Sequence, residues 1–260
     1  MNLQVLVSAV NAEPPRLITQ MKLATDAIII NQCEENAYEE LHLNQHRIRC
    51  YSFQERGVGL SRNNALLRAD HEISLFSDED IVYHDGYETL VLDEFTKHPE
   101  ADMIVFNFAV EPERRTYYNE HWHQVHWYNC GRYPTFSFAV RTAQVHAKNI
   151  TYSLLFGGGA KYSNGEDSLF IRECLHCGLH VYASPVELGR EEPRPSTWFQ
   201  GYTEKFFIDR GVLYWYLYGR WAGLLAMRFL YTHRDMTNGA IKLPQAMRLM
   251  RRGIQEARDL

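Results

Sequence analysis

Residues 73–80 read Ile-Ser-Leu-Phe-Ser-Asp-Glu-Asp, an apolar run that ends in three consecutive acids. A short apolar run bounded by polar residues predicts a buried strand, here over residues 72–76. Ligands of open α/β sheets bind beyond the carboxyl ends of the strands, which is where these acids are placed. Three adjacent carboxylates repel one another unless a cation is present, and their oxygens suit Mg²⁺ or Mn²⁺. The alternative is an ordinary solvated turn.

Apolar runs on both sides of this stretch extend a pattern of alternating strands and helices. Further strands are predicted at residues 3–10, 26–30, 47–53, 102–108, 135–140 and 179–183. A first helix is predicted to begin at Pro14, a second to cover residues 59–67 with Ser61 as its N-cap, and a third to cover residues 86–97. A fourth is predicted to end near residue 177, and further helices to fill most of residues 201–258. This alternation predicts an α/β fold in which helices cover both faces of a mostly parallel sheet.

The composition is that of a globular protein with unevenly distributed charge. The chain has 260 residues, of which 45% are hydrophobic, and a formal net charge of −5. These values exclude disorder, collagen and coiled coil for the whole chain and suit one large domain, with or without an appendage. Residues 1–200 hold 17 basic and 27 acidic side chains, whereas residues 201–260 hold 10 and 5. An acidic body with a basic tail argues against a nucleic-acid partner and suits an anionic surface.

The N-terminus, the cysteines and the most apolar stretch together predict a cytoplasmic protein. The first eleven residues lack the basic region of a signal peptide. Five cysteines, an odd number, fit a reducing compartment, and Cys174 and Cys177 are expected at helical spacing on a buried face. Arg220 and Arg228 interrupt residues 212–231, so we expect a buried or interfacial helix there rather than a membrane span.

Two further motifs flank the acidic cluster. Residues 57–69 read Gly-Val-Gly-Leu-Ser-Arg-Asn-Asn-Ala-Leu-Leu-Arg-Ala, and residues 165–170 read Gly-Glu-Asp-Ser-Leu-Phe. In this order the three motifs resemble the family 2 glycosyltransferases over about residues 1–190. The resemblance implies a GT-A fold, which is a Rossmann-like nucleotide-binding sheet flanked by helices, and a nucleotide-sugar donor. It places the catalytic domain at residues 1–195 and a C-terminal helical extension at 196–260.

The resemblance also implies roles for the acidic residues. Asp167 would be the general base that deprotonates an acceptor hydroxyl, so that direct attack inverts the anomeric carbon. Glu166 would position the acceptor or cap the helix; the alternative is that both acids are merely favoured by the helix dipole. Asp80 would bind Mn²⁺ or Mg²⁺ directly, while Asp78 would face the ribose or a metal-bound water. Glu79 is expected to point into solvent, because neighbouring strand residues alternate faces.

The donor-binding residues implied by the resemblance lie at the first two strand exits and on the following helix. Arg62 and Asn63 match the Arg-Asn of the family, where Arg62 pairs with phosphate or hydrogen-bonds uracil; the alternative is an exposed helix face. The first exit contains Ala9 and Asn11, of which only Asn11 matches. At the second exit Asn31 stands where the family usually has an aspartate that reads uracil. UDP is the nucleotide expected first.

Several loops carry further expectations. Arg194 and Trp198 would belong to a lid over the diphosphate or to an ordinary connector. The glycine run at 157–159 is no phosphate loop and predicts close backbone approach to the acceptor or metal. His123 and His126 are expected on one helix face in a His- and Trp-rich segment, which would bind zinc, stack on an acceptor sugar or simply pack. The absence of a Q-x-x-R-W motif favours the addition of a single sugar.

The expected partners follow from the same resemblance. The acceptor would be a glycan or a lipid-linked glycan of the bacterial cell envelope, and a homo-oligomer is compatible with the sequence. The basic, aromatic tail would dock on anionic lipid at the inner face of the cell membrane, pack on the catalytic domain or form a dimer interface. A nucleotidyltransferase and a non-catalytic nucleotide- or sugar-binding subunit are the competing functions.

Overall fold

Ten strands form one mixed sheet in the computed structural model, which describes residues 1–113, 115–193, 201–237 and 239–259. The strands are β1 Leu3–Val10, β2 Asp26–Gln32, β3 Ala37–Leu43, β4 His46–Phe53, β5 Ile73–Asp78, β6 Ile81–Tyr83, β7 Met103–Ala109, β8 His123–Gln124, β9 Phe138–Arg141 and β10 Val181–Glu191. The helices are α1 Pro14–Met21, α2 Val58–Arg68, α3 Tyr87–Lys97, α4 Thr142–Ala147, α5 Glu166–His176, α6 Glu204–Tyr218, α7 Ala222–Thr232 and α8 Leu243–Arg258. The predicted α/β fold is confirmed.

The strand order is β3-β4-β2-β1-β5-β9-β7-β10-β6, with β8 paired to β10. The strands β1, β2, β4, β5, β7 and β10 run in the same direction, so their carboxyl ends share one edge. In the pairing of β1 with β5, Ser8 lies opposite Asp78. The acidic cluster therefore reaches the edge beside the exit of β1, where ligands of such sheets bind.

Alternating side chains of the central strands build two cores, one on each face of the sheet. Val5 and Val7 face a core that contains Leu17 of α1 and Phe95 of α3. Leu6 faces the other core, with the apolar residues of α2 and α5. Because both faces are covered, the central strands read as continuous apolar runs rather than as alternating ones.

Helices α6, α7 and α8 form a third apolar cluster after the sheet. Gly211 and Gly253 let α6 and α8 cross closely, because a Cβ at either position would lie 2.2 Å or 2.0 Å from a carbonyl oxygen of the other helix. The helix α6 also packs on the sheet region, where Arg172 Nε donates to Leu217 O at 3.0 Å. Residues 212–231 are not one helix, since Gly219 with φ 51° separates α6 from α7. No helix in the described ranges is long and apolar enough to span a membrane.

Three local expectations were wrong or incomplete. Ser61 does not cap α2, which begins at Val58; its hydroxyl instead donates to Ser8 Oγ at 3.0 Å inside the core. The strand β3 was missed because it is an exposed edge strand without an apolar run. The final strand was predicted to end at residue 183 but continues to Glu191. It is longer because its pairing with β7 goes on, with shifts of register, beyond the apolar residues that predicted the strand.

The junction between sheet and C-terminal helices falls partly outside the described residues. Strands end at Glu191 and the next helix begins at Glu204. The proposed domain boundary at 195 and the lid candidates Arg194 and Trp198 lie in between, at positions that the structure does not describe. These assignments stay predictions.

Candidate active site

One buried arginine joins three carboxylates at the carboxyl edge of the sheet. The Nη1 atom of Arg62 donates to Glu166 Oε1 at 3.0 Å and to Asp167 Oδ1 at 2.9 Å. Its Nη2 atom donates to Asp78 Oδ1 at 3.1 Å. Arg62 is only 5% exposed, so these charge-assisted hydrogen bonds are shielded from bulk water and strengthened. The alternative that Arg62 lies on an exposed helix face is wrong.

Three separate elements bring these groups together. Arg62 lies in α2, Asp78 is the last residue of β5, and Glu166 and Asp167 begin α5. Gly165 precedes the helix with φ 118°, a conformation that other residues rarely adopt. The free backbone N–H groups of the first helical turn favour acidic side chains, so α5 can present two carboxylates at its N-terminus.

Burial, together with the neighbouring acids of this cluster, raises the pKa values of two carboxyl groups. Burial, and then the neighbouring Asp167, raises the pKa of Glu166 to about 7. Burial also raises the pKa of Asp167, although Arg62 and a hydrogen bond from Thr135 oppose the change. The Thr135 hydroxyl donates to Oδ1 of Asp167, the same oxygen that accepts a hydrogen bond from Arg62. Asp167 is therefore a fixed carboxylate whose raised basicity suits proton transfer.

Two asparagines hold the loops around the cluster. Asn63 Nδ2 donates to Tyr152 O at 2.9 Å, and Asn63 Oδ1 accepts from Tyr152 N at 2.7 Å. The ring of Tyr152 lies 5.5 Å from the guanidinium carbon of Arg62. Asn31 makes the same pair of contacts with the backbone of Ala12, at 2.9 and 3.0 Å. Both amides are thus engaged with backbone, and donor contact by Asn31 and Asn63 stays a prediction.

A cleft of about 600 Å³ opens beside the ends of β1 and β5. It is lined by Val10, Asn11, Ala12, Glu13, Arg16, Leu17, Gln20, Glu79, Asp80, Glu192 and Pro193. Asp80 therefore lies where the sequence placed a metal ligand, beside the strand exit. The expectation that Glu79 points into solvent is wrong, because its Oε2 accepts from Val10 N at 2.9 Å. The strand ends at Asp78, so alternation of faces no longer governs the next side chain.

Backbone contacts tie the exits of β1 and β2 together. Asn11 has φ 50° and donates its N–H to Gln32 O at 3.1 Å. Gln32 Oε1 in turn accepts from Gly57 N at 2.7 Å, which fixes the start of α2. Ala9 is 1% exposed, so it lies beneath this edge rather than at its surface. Gln32 and Thr135 escaped sequence analysis because neither belongs to a motif; only their tertiary contacts reveal them.

A family comparison decides what kind of protein carries this site. The sequence model described as glycosyl transferase family 2 matches residues 16–158, more than half of the chain. This chain belongs to glycosyl transferase family 2. The enzyme class implied by the three ordered motifs is thereby confirmed as glycosyltransferase. None of the curated protein sequences matches the chain.

Solved structures similar to this family 2 enzyme include proteins that are seen with nucleotides or nucleotide-sugars. S. aureus TarS 1–349 in complex with UDP-GlcNAc gives a TM-score of 0.67 at 16% identity, covering 99% of this chain and 82% of that chain. The same TarS fragment with UDP gives 0.64 at 16% identity, covering 98% and 82%. The mannosyltransferase PcManGT from Pyrobaculum calidifontis, with GDP-Man and Mn²⁺, gives 0.53 at 12% identity, covering 99% and 75%. At such low identities these likenesses establish the fold, which is the GT-A fold that the resemblance implied.

The family 2 enzyme has two places where side chains offer metal ligands. Glu173, His176 and Cys177 bring ligand atoms within 4.8 Å of one another at the end of α5; among the residues described, no other three such side chains converge so closely. This group is separated from Asp167 by nearly the whole helix, roughly 14 Å at about 1.5 Å per residue. At the cleft, Asp80 and Glu79 offer carboxylate oxygens instead. Such a site suits a hard divalent ion that binds one or two carboxylates and fills the rest of its coordination shell with phosphate oxygens and water.

The His- and Trp-rich segment does not form the predicted helix. Residues His123–Gln124 form the short strand β8 against β10, so His123 and His126 share no helix face. The ring of Trp122 stacks on Tyr182 at 5.0 Å between centroids, which is packing within the protein. Trp127 is 53% exposed, and of the tryptophans in this segment it is the one with a ring open to a ligand.

Proposed function

We propose that this enzyme moves one sugar from a UDP-sugar to a hydroxyl of a glycan or lipid-linked glycan, with inversion at the anomeric carbon. The observation that carries the proposal is the placement of Asp167, which Arg62 and Thr135 fix at the ligand-binding edge of the sheet. Asp78, the last residue of β5, contacts the same arginine. The absence of a Q-x-x-R-W motif supports the addition of a single sugar.

In the proposed reaction Asp167 takes the proton of the acceptor hydroxyl. The hydroxyl oxygen bonds to the anomeric carbon as the bond from that carbon to the diphosphate oxygen breaks, so the electron pair leaves with UDP. Arg62 keeps Asp167 oriented through Oδ1 and stays charged throughout. The raised pKa of Asp167 strengthens it as a base, and Glu166 shares the guanidinium that balances the charge of the pair.

We assign the divalent metal to Asp80, with Asp78 as the second candidate. Asp80 lines the cleft with Glu79, and carboxylate oxygens are the donors that Mn²⁺ and Mg²⁺ prefer. Asp78 is the second candidate because its carboxylate already accepts from Arg62. When bound, the ion stabilises negative charge on the departing diphosphate.

The donor would lie along the β1 and β2 exits and the start of α2. Asn11 lines the cleft there above the buried Ala9, while Asn31 and Asn63 hold the loops that shape the pocket. UDP is the nucleotide we propose, since TarS, which shares the fold across almost this whole chain, is seen with UDP-GlcNAc. Arg62 already donates to three acids through Nη1 and Nη2, while its buried Nε has no hydrogen-bond partner among the described residues.

The setting we propose is the synthesis of an envelope polysaccharide at a membrane surface. The outer face of α7 exposes Leu224, Met227 and Tyr231, and Trp221 precedes them on the same side. At a helical repeat of 3.6 residues these four side chains form one stripe, and Arg228 lies beside it. An apolar stripe with flanking arginines suits the interface of an anionic membrane, where a lipid-linked acceptor would reside.

UDP release tests the proposed function. The protein is incubated with Mn²⁺ and a panel of UDP-sugars and acceptors, and UDP is measured. Asp167→Asn is expected to lower transfer by about 10²–10⁴-fold, because an amide cannot accept the proton, while UDP binding measured by calorimetry stays near wild type. Asp93→Asn, on the exposed face of α3, removes the same charge far from the cluster and is expected to retain full activity.

Other products would identify the competing functions. Release of pyrophosphate instead of UDP would indicate nucleotidyl transfer, and nucleotide binding without any product would indicate a binding subunit. Full activity in Asp167→Asn would remove Asp167 from the role of base.

A further inference from the structure

A second cavity, of about 640 Å³, lies between the glycine run 157–159 and the C-terminal helices. Its polar wall includes Asn164, Lys205 and Arg210, and no residue that lines it also lines the cleft beside β1. Nothing in the proposed donor site or base uses these side chains. The cavity is therefore a separate compartment of the same molecule.

Arg210 gives this cavity a positive charge without a balancing acid. Its guanidinium carbon lies 5.3 Å from the rings of both Phe206 and Phe229, and its Nε is buried. Within the described ranges no hydrogen bond or ion pair to Arg210 is found, and its Nε has no acceptor. The neighbouring acid, Asp209, accepts instead from Ser163 and from Lys205.

Such an arginine is costly to bury, and the cost is recovered when an anion reaches it. Burial lowers the pKa of Arg210, and no carboxylate counteracts that change. A guanidinium remains charged at neutral pH all the same, and its fork of donors matches carboxylate and phosphate oxygens. The aromatic rings on either side hold the side chain in place, so the group is oriented before a ligand arrives.

The cavity lies beside Glu166, the residue that precedes the proposed catalytic base. Gly157 lines the cavity, and a Cβ at this residue would lie 2.8 Å from Glu166 Cδ. On the other side Gly165 packs so closely on α6 that a Cβ would lie 2.5 Å from Leu213 Cδ1. A molecule in the cavity is thus separated from the two carboxylates of α5 by a strand of glycine backbone.

We propose that this cavity is a second ligand site of the enzyme and that it binds an anionic ligand, through a carboxylate or phosphate on Arg210. The site does not depend on the proposed glycosyl transfer.

Calorimetric titration of the full chain tests the anion site with three probes at constant ionic strength. Methyl glucuronide supplies a carboxylate, glucose 6-phosphate supplies a phosphate, and methyl glucoside is the neutral reference. Wild-type protein is expected to bind at least one anionic probe about tenfold or more tightly than the neutral one, and Arg210→Gln is expected to lose that preference. Arg251→Gln removes a charge from the exposed side of α8 and is expected to keep it.

A second pair of variants keeps Arg210 in place. Ala160 lines the cavity, so Ala160→Glu introduces a negative charge there, whereas Ala160→Gln introduces nearly the same volume without charge. We expect the glutamate variant to lose the preference and the glutamine variant to retain it. Equal affinity for neutral and anionic probes in wild type, or a preference that survives in both Arg210→Gln and Ala160→Glu, would overturn the proposal. UDP binding is titrated separately, so failure of the donor site is distinguished from failure of the anion site.

Discussion

At the scale of single residues, Arg62 is the group on which the candidate site depends. It is buried itself, contacts the buried Glu166 and the half-buried Asp78 and Asp167, and balances part of their charge. A buried arginine left without partners, or buried acids left without the arginine, would be strongly destabilising. The resemblance pointed to Arg62 as a donor contact, whereas the structure gives it first the task of holding Asp167 and Asp78.

Glu166 carries a prediction about pH and stability. An acid whose folded pKa is raised, here to about 7, stabilises the fold below its unfolded pKa, and that contribution is lost as pH rises through the folded value. Glu166→Gln stays neutral throughout. The Tm of this variant relative to wild type is therefore expected to increase between about pH 5 and pH 8, measured by thermal unfolding.

The control for this experiment is Glu113→Gln, at an exposed carboxyl. Its Tm difference from wild type is expected to change little over the same range. A constant difference for Glu166→Gln as well would mean that Glu166 is ionised in the folded protein at all these pH values.

At the scale of elements, the glycine run 157–159 lies between the carboxylate cluster around Arg62 and the second cavity, and it contacts the first turns of α2 and α5. Gly158 O accepts from Val58 N at 3.0 Å, which ties the run to the first residue of α2. Gly157 has φ 103°, and a Cβ there would lie 2.8 Å from both Glu166 Cδ and Val58 Cγ1. The run is therefore glycine for reasons of backbone conformation and of space.

Gly157→Ala is expected to impair both stability and catalysis. The left-handed conformation costs an alanine about 1–2 kcal/mol, and the added methyl group must displace Glu166 or Val58. Gly86 has φ 79°, and no atom lies within 4 Å of the position that a Cβ would take there, so Gly86→Ala carries the conformational cost alone. We expect a larger loss of Tm in Gly157→Ala than in Gly86→Ala, and a fall in UDP release only in Gly157→Ala. Equal activities would show that the close contact at Gly157 is not needed for transfer.

At the scale of the whole molecule, the C-terminal helices both complete the anion cavity and present an apolar outer face. The helix α6 packs on the sheet region through Leu213 and Leu217, while α7 exposes Trp221 and Leu224. Packing on the catalytic region and contact with a membrane are therefore compatible, because they use different helices. The division into a catalytic unit at 1–195 and a helical unit at 196–260 stays a proposal.

Vesicle binding tests the outer face of α7. Leu224→Glu places a charge in the middle of the apolar stripe and is expected to weaken binding to vesicles rich in anionic lipid by about tenfold or more, since burial of one leucine contributes about 1.5–3 kcal/mol. Leu67→Glu alters an exposed leucine of α2 and serves as the control in a co-sedimentation assay. Unchanged binding in Leu224→Glu, or no binding by wild type, would exclude α7 as a membrane contact.

Much of the fold was predictable because its central strands are buried on both faces. Such strands must be continuous apolar runs, so β1, β2, β4 and β5 were recognisable locally. The edge strand β3 is exposed and lacks that signal, and the last strand outlasts its apolar start. For the site, the motifs identified the acids at residues 78–80 and 166–167, but they did not predict where each side chain points. Glu79 was expected to face solvent, whereas it accepts a hydrogen bond from Val10 N.

The sequence by itself determined the α/β fold, the family and the identity of the acids at the strand and helix ends, because these depend on patterns that are local in the chain. Only the tertiary structure decided that Arg62 meets Glu166, 104 residues away, that Thr135 meets Asp167, and that Arg210 forms no ion pair within the described ranges. Such contacts arise when separate elements dock on a common sheet. The partner of a buried charge is then fixed by packing, which short-range spacing along the chain does not encode.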